Sequence, residues 1–376
     1  MPMHVAQLNF FPAPRGLGME ELLVRWPSLA DIAELVAGSG VRVSVLQAAS
    51  REERFVRSGV DYRFIDVSRA KSAASRGRCF AKVLAGMGVD LLHVHGLGFI
   101  EEASAVAGFP VPTWPVLVQD HADGLPRWWR RARHRDRFAV ASGVAFTCLA
   151  QAQPFVEAGM FRRSTRIFAI PESSSRFTPG DRARSGTGLY GDPCVLWVGR
   201  LTRGKDPLTV LEGIARAASR LPDLRLWCAF GAAPMLDEVR ARLDGDPRLA
   251  GRVHLLGRVP HAQVETLLRA SDLYVSGSRA EGSGYAAIEA MACGVTPVLT
   301  DIPAFRALTD DGRIGRLWPC GDAQRLAEAL LLEATKPTSP ERVRAHFDAR
   351  LSFDAVGRLW AGAYSQMLED RHRRAA

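Results

Sequence analysis

Short apolar runs alternate with longer stretches of helical period along the first half of the chain. The runs cover 4–9, 41–46, 89–95, 115–119 and 144–148, with helix-like segments such as 19–37 and 69–87 between them. This alternation predicts βαβ units and a parallel sheet. Strands that are apolar almost throughout suit a sheet covered on both faces. A second series follows at 194–198, 224–229, 252–256, 273–276 and 296–300, separated by helical segments that include 207–220 and 284–292. The stretch 171–192, rich in Ser, Gly and Pro, is the linker expected between the two series. The pattern predicts an α/β protein of two doubly wound domains facing each other across a cleft. The last segment, 353–369, again has helical period, with Leu359, Trp360, Ala363, Tyr364 and Met367 expected on one face.

Composition narrows the function classes. A length of 376 residues suits two domains, each long enough for its own core. The formal net charge of +9 favours anionic partners: nucleoside diphosphates, acidic lipids or polyanions. The cysteines, Cys79, Cys148, Cys194, Cys228, Cys293 and Cys320, form no Cys-x-x-Cys pair and read as reduced core thiols of a cytoplasmic protein. The N-terminus enters an apolar stretch directly, without a charged region or cleavage site, so no signal peptide is expected. No apolar run approaches the roughly 20 residues of a membrane span, so any membrane contact is expected to be peripheral, at the inner face.

Ligands of open α/β sheets bind beyond the carboxyl ends of the strands. After 194–198 come Gly199-Arg200-Leu201-Thr202-Arg203-Gly204-Lys205-Asp206-Pro207, where a strand ends and cations precede a helix with Pro in its first turn. Backbone N–H groups with Arg and Lys would clamp a diphosphate; an ordinary basic loop is the plain alternative. After 273–276, Gly282, Ser283 and Gly284 precede a helix start, where glycines let a backbone approach a ligand closely. Glu289, amid Ile288, Ala290, Met291 and Ala292, is expected to be partly buried and to need ligand hydroxyls or an Arg as partner.

Segment 195–301 resembles the donor half of the retaining family-4 glycosyltransferases (glycosyl transferases group 1), whose fold is GT-B. The resemblance rests on Val198-Gly199-Arg200-Leu201 followed by Lys205, on Leu256-Gly257-Arg258-Val259, and on Glu281 and Glu289 spaced Glu-x7-Glu, the second opening Glu289-Ala290-Met291-Ala292-Cys293-Gly294. It implies two Rossmann-like domains: 1–178 on the acceptor side, with the helix 353–370 packing back on it, and 179–352 binding a nucleotide-sugar donor. Arg200 and Lys205 would neutralise the donor diphosphate. Glu281 would hold sugar hydroxyls, the 282–284 backbone would approach sugar and phosphate, Glu289 would take the ribose, and Arg258 and Val259 would lie near the base. Ser283 stands where the family usually has a bulkier residue, and Tyr285 where an aliphatic one is more usual.

The N-terminal half is similar at fewer points. The strand ending in His93 and His95 fits, and His121 matches the histidine that reaches the donor sugar from the acceptor side. Glu172-Ser173 replaces the usual Asn-Gly, and Gly16 and Gly18 are the nearest substitute for the expected glycine pair. The implied activity is retaining transfer of a sugar from a nucleotide-diphosphate sugar to an acceptor hydroxyl in glycan, polysaccharide or glycolipid synthesis. The donor is a substrate, and neither a cofactor, an essential metal nor nucleic acid is expected. Alternatives are a GT-B epimerase or phosphorylase, or a degenerate binding or scaffold protein.

Three signals have plainer readings. His93-x-His95 reads as a structural pair, not a metal site, and Asp244-Gly245-Asp246 as a turn. The stretch 127–137 holds six arginines and the pair Trp128-Trp129. It is expected to meet an anionic membrane surface, or to be a solvated helix or a basic wall for an anionic acceptor.

Overall fold

The computed structural model describes residues 2–109, 114–180 and 187–375. The chain forms two compact units: one up to Ser173 together with the segment from Phe353, the other from Ser174 to Ser352. The second unit therefore starts earlier than residue 179. Phe177 is buried in its core, and Thr178 bonds Glu265 and Arg269, so the start of the expected linker belongs to the second fold. Part of that linker, 181–186, lies outside the described residues.

The first unit carries β1 (His4–Asn9), β2 (Arg42–Ala49), β3 (Glu53–Arg57), β4 (Val60–Asp66), β5 (Leu91–His95), β6 (Val116–Gln119), β7 (Ala141–Phe146) and β8 (Arg166–Ala169). Their order is β3-β4-β2-β1-β5-β6-β7-β8, with every pairing parallel except β3 with β4. Along β1, Val5 enters one core cluster while Ala6 and Leu8 enter another, as expected when both faces are covered. The β3–β4 hairpin adds an antiparallel edge that the sequence pattern did not announce. It turns on Ser58 and Gly59, both at positive φ, which suits the right-handed twist of the paired strands.

Helical stretch 19–37 is two helices, Met19–Arg25 and Pro27–Gly38. Pro27 cannot continue a helix but opens one well, so the break falls at Trp26. The terminal helix, Phe353–Ala375, buries Val356, Trp360, Ala363, Tyr364 and Met367. Leu359 is instead 44% exposed, because one residue turns the helix by about 100° away from Trp360.

The second unit carries β9 (Cys194–Gly199), β10 (Arg225–Phe230), β11 (Val253–Gly257), β12 (Leu273–Ser276), β13 (Thr296–Thr300) and β14 (Arg316–Trp318), in the order β11-β10-β9-β12-β13-β14 and parallel throughout. Cys194 and Leu196 face one core cluster, Val195 and Trp197 the other.

Candidate functional site

In the second unit, β9 and β12 are paired in parallel, so the loops leaving their carboxyl ends run side by side. Gly277 makes this closeness possible: a Cβ there would lie 2.8 Å from Val210 and 3.0 Å from the carbonyl oxygens of Lys205 and Asp206. Arg279 then ties the loops together, its N–H donating to the Gly204 carbonyl at 2.9 Å and its guanidinium to Asp206 at 2.6 Å. Asp206, in the left-handed region at φ 46°, also caps the helix Pro207–Ala217 by accepting from Thr209. That helix end is thus met by the chain's own carboxylate. Lys205 reaches across to the Glu281 carboxylate, which also accepts from Ser278 Oγ at 2.6 Å. The Ser278 carbonyl is held in turn by Thr300.

Gly282 and the buried Ser283 lead to Gly284, which sits at φ +68° and opens the helix Tyr285–Ala292 with no side chain at its cap. A Cβ on Gly284 would also meet the Phe305 ring at 2.8 Å, so backbone angle and packing both demand glycine. Tyr285 is exposed. Glu289, on the same helix, is mostly buried and pairs with His261 Nε2 at 2.6 Å, not with an Arg. Burial raises its carboxyl above the usual range, against the opposing pull of the His261 hydrogen bond and charge. His261 opens the helix His261–Arg269 directly after Arg258, Val259 and Pro260. Arg258 is exposed, whereas Val259 packs on the core. Gly199 ends β9, and Arg200 beyond it is exposed and makes no ion pair among the described residues.

In the first unit, histidines gather at the carboxyl ends of β5 and β6. His93 is buried and satisfied, with Tyr364 on Nδ1 at 2.8 Å and Gln119 on Nε2 at 3.0 Å, which is a structural role. His95 stacks on His93, and its Nδ1 lies 3.2 Å from His121 Nε2. His121 Nδ1 meets the Glu172 carboxylate. Gly16 stands at positive φ with open space around it. Gly18 starts the helix Met19–Arg25, but its N–H and that of Met19 are taken by Glu21 and Glu53. This loop therefore meets carboxylates of its own chain where an anion would bind.

Beside the histidines lies an open cavity of about 560 Å³, with Leu97, Leu125, Phe138 and Phe155 among its apolar lining and Arg127 and Arg130 among its cations. Trp128 and Trp129 next to it are 75% and 55% exposed. The basic run is less free than its composition suggests. Arg131 and Arg135 donate to backbone carbonyls, and Arg133 pairs with Glu101. Asp246 of the Asp-x-Asp sequence is held by Arg242 and Arg248 in a turn. Among the described residues no three His, Cys, Asp or Glu are placed to hold a metal ion.

Sequence reasoning missed Gly277, Ser278 and His261 at this site, and gave Asp206, within the basic loop, no role of its own. A Ser-Gly-Ser run leaving a strand was the available signal for the first two; the His261 contact spans 28 residues and left none.

The sequence model of the family described as glycosyl transferases group 1 matches residues 192–332. The phosphatidyl-myo-inositol mannosyltransferase of Mycolicibacterium smegmatis is 33% identical over 363 residues, covering 90% of this chain and 87% of that protein. A D-inositol 3-phosphate glycosyltransferase of Mycobacteroides abscessus is 31% identical over 201 residues, covering 52% of this chain and 44% of that one. Sucrose-phosphate synthase from Thermosynechococcus elongatus shares the fold at TM-score 0.71 and 18% identity, over 98% of this chain and 100% of that one. HepE from Anabaena, solved with UDP and glucose, does so at 0.68 and 18%, over 96% and 99%. The fold is thus GT-B, and the chain belongs to the group 1 glycosyl transferases.

Proposed function

We propose that this glycosyltransferase moves a sugar from a nucleotide-diphosphate sugar to an acceptor hydroxyl with retention of anomeric configuration. The observation that carries this reading is the pairing of Lys205 with Glu281 where two strand-end loops meet, ahead of a helix that opens on glycine. A cation for the diphosphate and a carboxylate for sugar hydroxyls are then neighbours, as they must be when sugar and phosphate share one bond. Lys205 and Arg200 neutralise the leaving diphosphate, Glu281 takes sugar hydroxyls, Glu289 the ribose, and His121 the donor sugar. In a front-face displacement the bond from the anomeric carbon to the phosphate oxygen breaks while the acceptor oxygen bonds on the same face. The acceptor proton passes to the departing diphosphate, and catalysis is electrostatic. The test is the anomeric carbon–proton coupling of the first product formed. The donor's configuration is expected; an inverted product overturns the retaining mechanism.

The acceptor in this reading is anionic and lipid-linked, and transfer takes place at a membrane surface. The relatives' names, which carry phosphatidyl and phosphate groups, support it, as do the cationic lining of the 560 Å³ cavity and the exposed Trp128 and Trp129. Interfacial tryptophans and cations worth about 1 kcal/mol each favour an anionic bilayer. No described helix is long and apolar enough to cross a membrane. Co-sedimentation is expected with anionic vesicles at low salt, weakened at high salt and by Trp128→Ala/Trp129→Ala. Absence of binding to anionic vesicles at low salt contradicts it.

A further inference from the structure

We propose that Ser278 is a positioning residue for Glu281: its hydroxyl holds the Glu281 carboxylate from the end of a buried strand, and so sets it for the donor's sugar hydroxyls before they arrive. This rests on the reading that Glu281 takes those hydroxyls. The whole arrangement lies within the second unit. Ser278 Oγ donates to Glu281 Oε1 at 2.6 Å and also lies 3.0 Å from Ser276 Oγ. A carboxylate accepts, and a serine hydroxyl has one hydrogen to give. Ser276 therefore donates to Ser278, and Ser278 to Glu281. Each hydroxyl in such a chain polarises the next and strengthens it.

The chain of donors starts on rigid structure. Ser276 ends β12 and Thr300 ends β13, and the two strands are paired in parallel. Thr300 Oγ1 donates to the Ser278 carbonyl, and the Ser278 N–H reaches Ser276 Oγ at 3.4 Å. Ser276, Ser278 and Thr300 are all buried, so water does not compete for these contacts. Glu281 stands on the loop beyond β12, and its long side chain has freedom to lose when a ligand binds. Holding it beforehand removes that cost from the binding step. Lys205 meets the same oxygen, Oε1, but cannot replace Ser278. Its ammonium sits on a flexible stem, and the diphosphate competes for it. The Ser278 hydroxyl is neutral and buried, so it keeps Glu281 in place when Lys205 turns to the phosphates.

The test is Ser278→Ala in the full chain, alone and combined with Glu281→Ala. UDP, GDP and ADP, their glucose conjugates and GDP-mannose are titrated calorimetrically into each variant. In Ser278→Ala the best-binding sugar conjugate is expected to weaken about 10-fold, the lower end of what an orienting partner contributes. The free diphosphate should bind as it does to the wild type. In the Glu281→Ala background, where nothing is left to position, Ser278→Ala should change neither affinity. Ser276→Ala, which removes only the upstream donor, should give a smaller loss with the same selectivity, and it serves if Ser278→Ala does not fold. Equal losses for conjugate and free diphosphate overturn the proposal, since they mark a general disturbance of the loop. So does unchanged conjugate binding in a folded Ser278→Ala protein, or a loss that persists in full without Glu281. Glu281→Ala that binds the conjugate as tightly as the wild type overturns instead the reading of Glu281 on which the proposal rests.

Discussion

Lys205→Ala is expected to lower turnover by about two to three orders of magnitude, the usual loss when one preorganised group facing developing charge is removed. It should also weaken nucleoside diphosphate binding by roughly 10- to 100-fold, since a charge-assisted contact contributes about 1.5–3 kcal/mol. The structure adds a condition that the loop's composition did not contain. Lys205 is paired with Glu281, so truncation also removes the ammonium partner of a carboxylate that is only 15% exposed. Part of the loss therefore belongs to Glu281. The double variant Lys205→Ala/Glu281→Gln should lose less than the two single losses combined, because residues in direct contact couple. Full additivity in steady-state kinetics would mean that the pair does not act as a unit. Arg200 is exposed and makes no ion pair with either residue, so its variant should not disturb the Lys205–Glu281 pair.

Glu289→Ala is expected to weaken binding of the nucleoside diphosphate itself, by roughly 10- to 100-fold for lost hydrogen bonds from ribose hydroxyls to a charged group. The pH dependence has a definite sign. Burial raises the Glu289 carboxyl, so the ionised acceptor is present above its raised value and is lost as pH falls through it, earlier than for an exposed glutamate. His261 opposes that rise. His261→Ala should therefore move the acid loss of nucleotide binding to higher pH, while binding at pH 8 changes little. A variant whose binding falls equally at all pH values would assign His261 a direct ligand contact instead.

The two-unit α/β architecture was legible because it is written in local periods. The span of β1 and the glycine-opened helix at 285 follow from apolar runs and turn residues alone. The β3–β4 hairpin was not, since its half-exposed strand 53–57 lacks the continuous apolar run that marked the buried strands. At the site, residue types and spacing pointed to Lys205 and Glu289, and the family resemblance added Glu281. Their partners could not be read, because each contact joins distant segments: Lys205 to Glu281 across 76 residues, His121 to Glu172 across 51. Spacing reveals what shares a loop or a helix face; which buried carboxylate meets which cation depends on sheet order. Pairing β9 with β12 is what sets Lys205 against Glu281, and no local pattern encodes that neighbourhood.

The central claim, that the loops at 199–206 and 277–289 bind the donor's nucleotide, is tested most directly by calorimetric titration. UDP, GDP and ADP are titrated into the wild-type chain and into the Lys205→Ala and Glu289→Ala variants at one salt concentration. One diphosphate should bind the wild type best and lose roughly 10- to 100-fold in each variant, as expected for charged hydrogen bonds. A diphosphate that binds both folded variants as tightly as the wild type would place the nucleotide elsewhere and contradict the account.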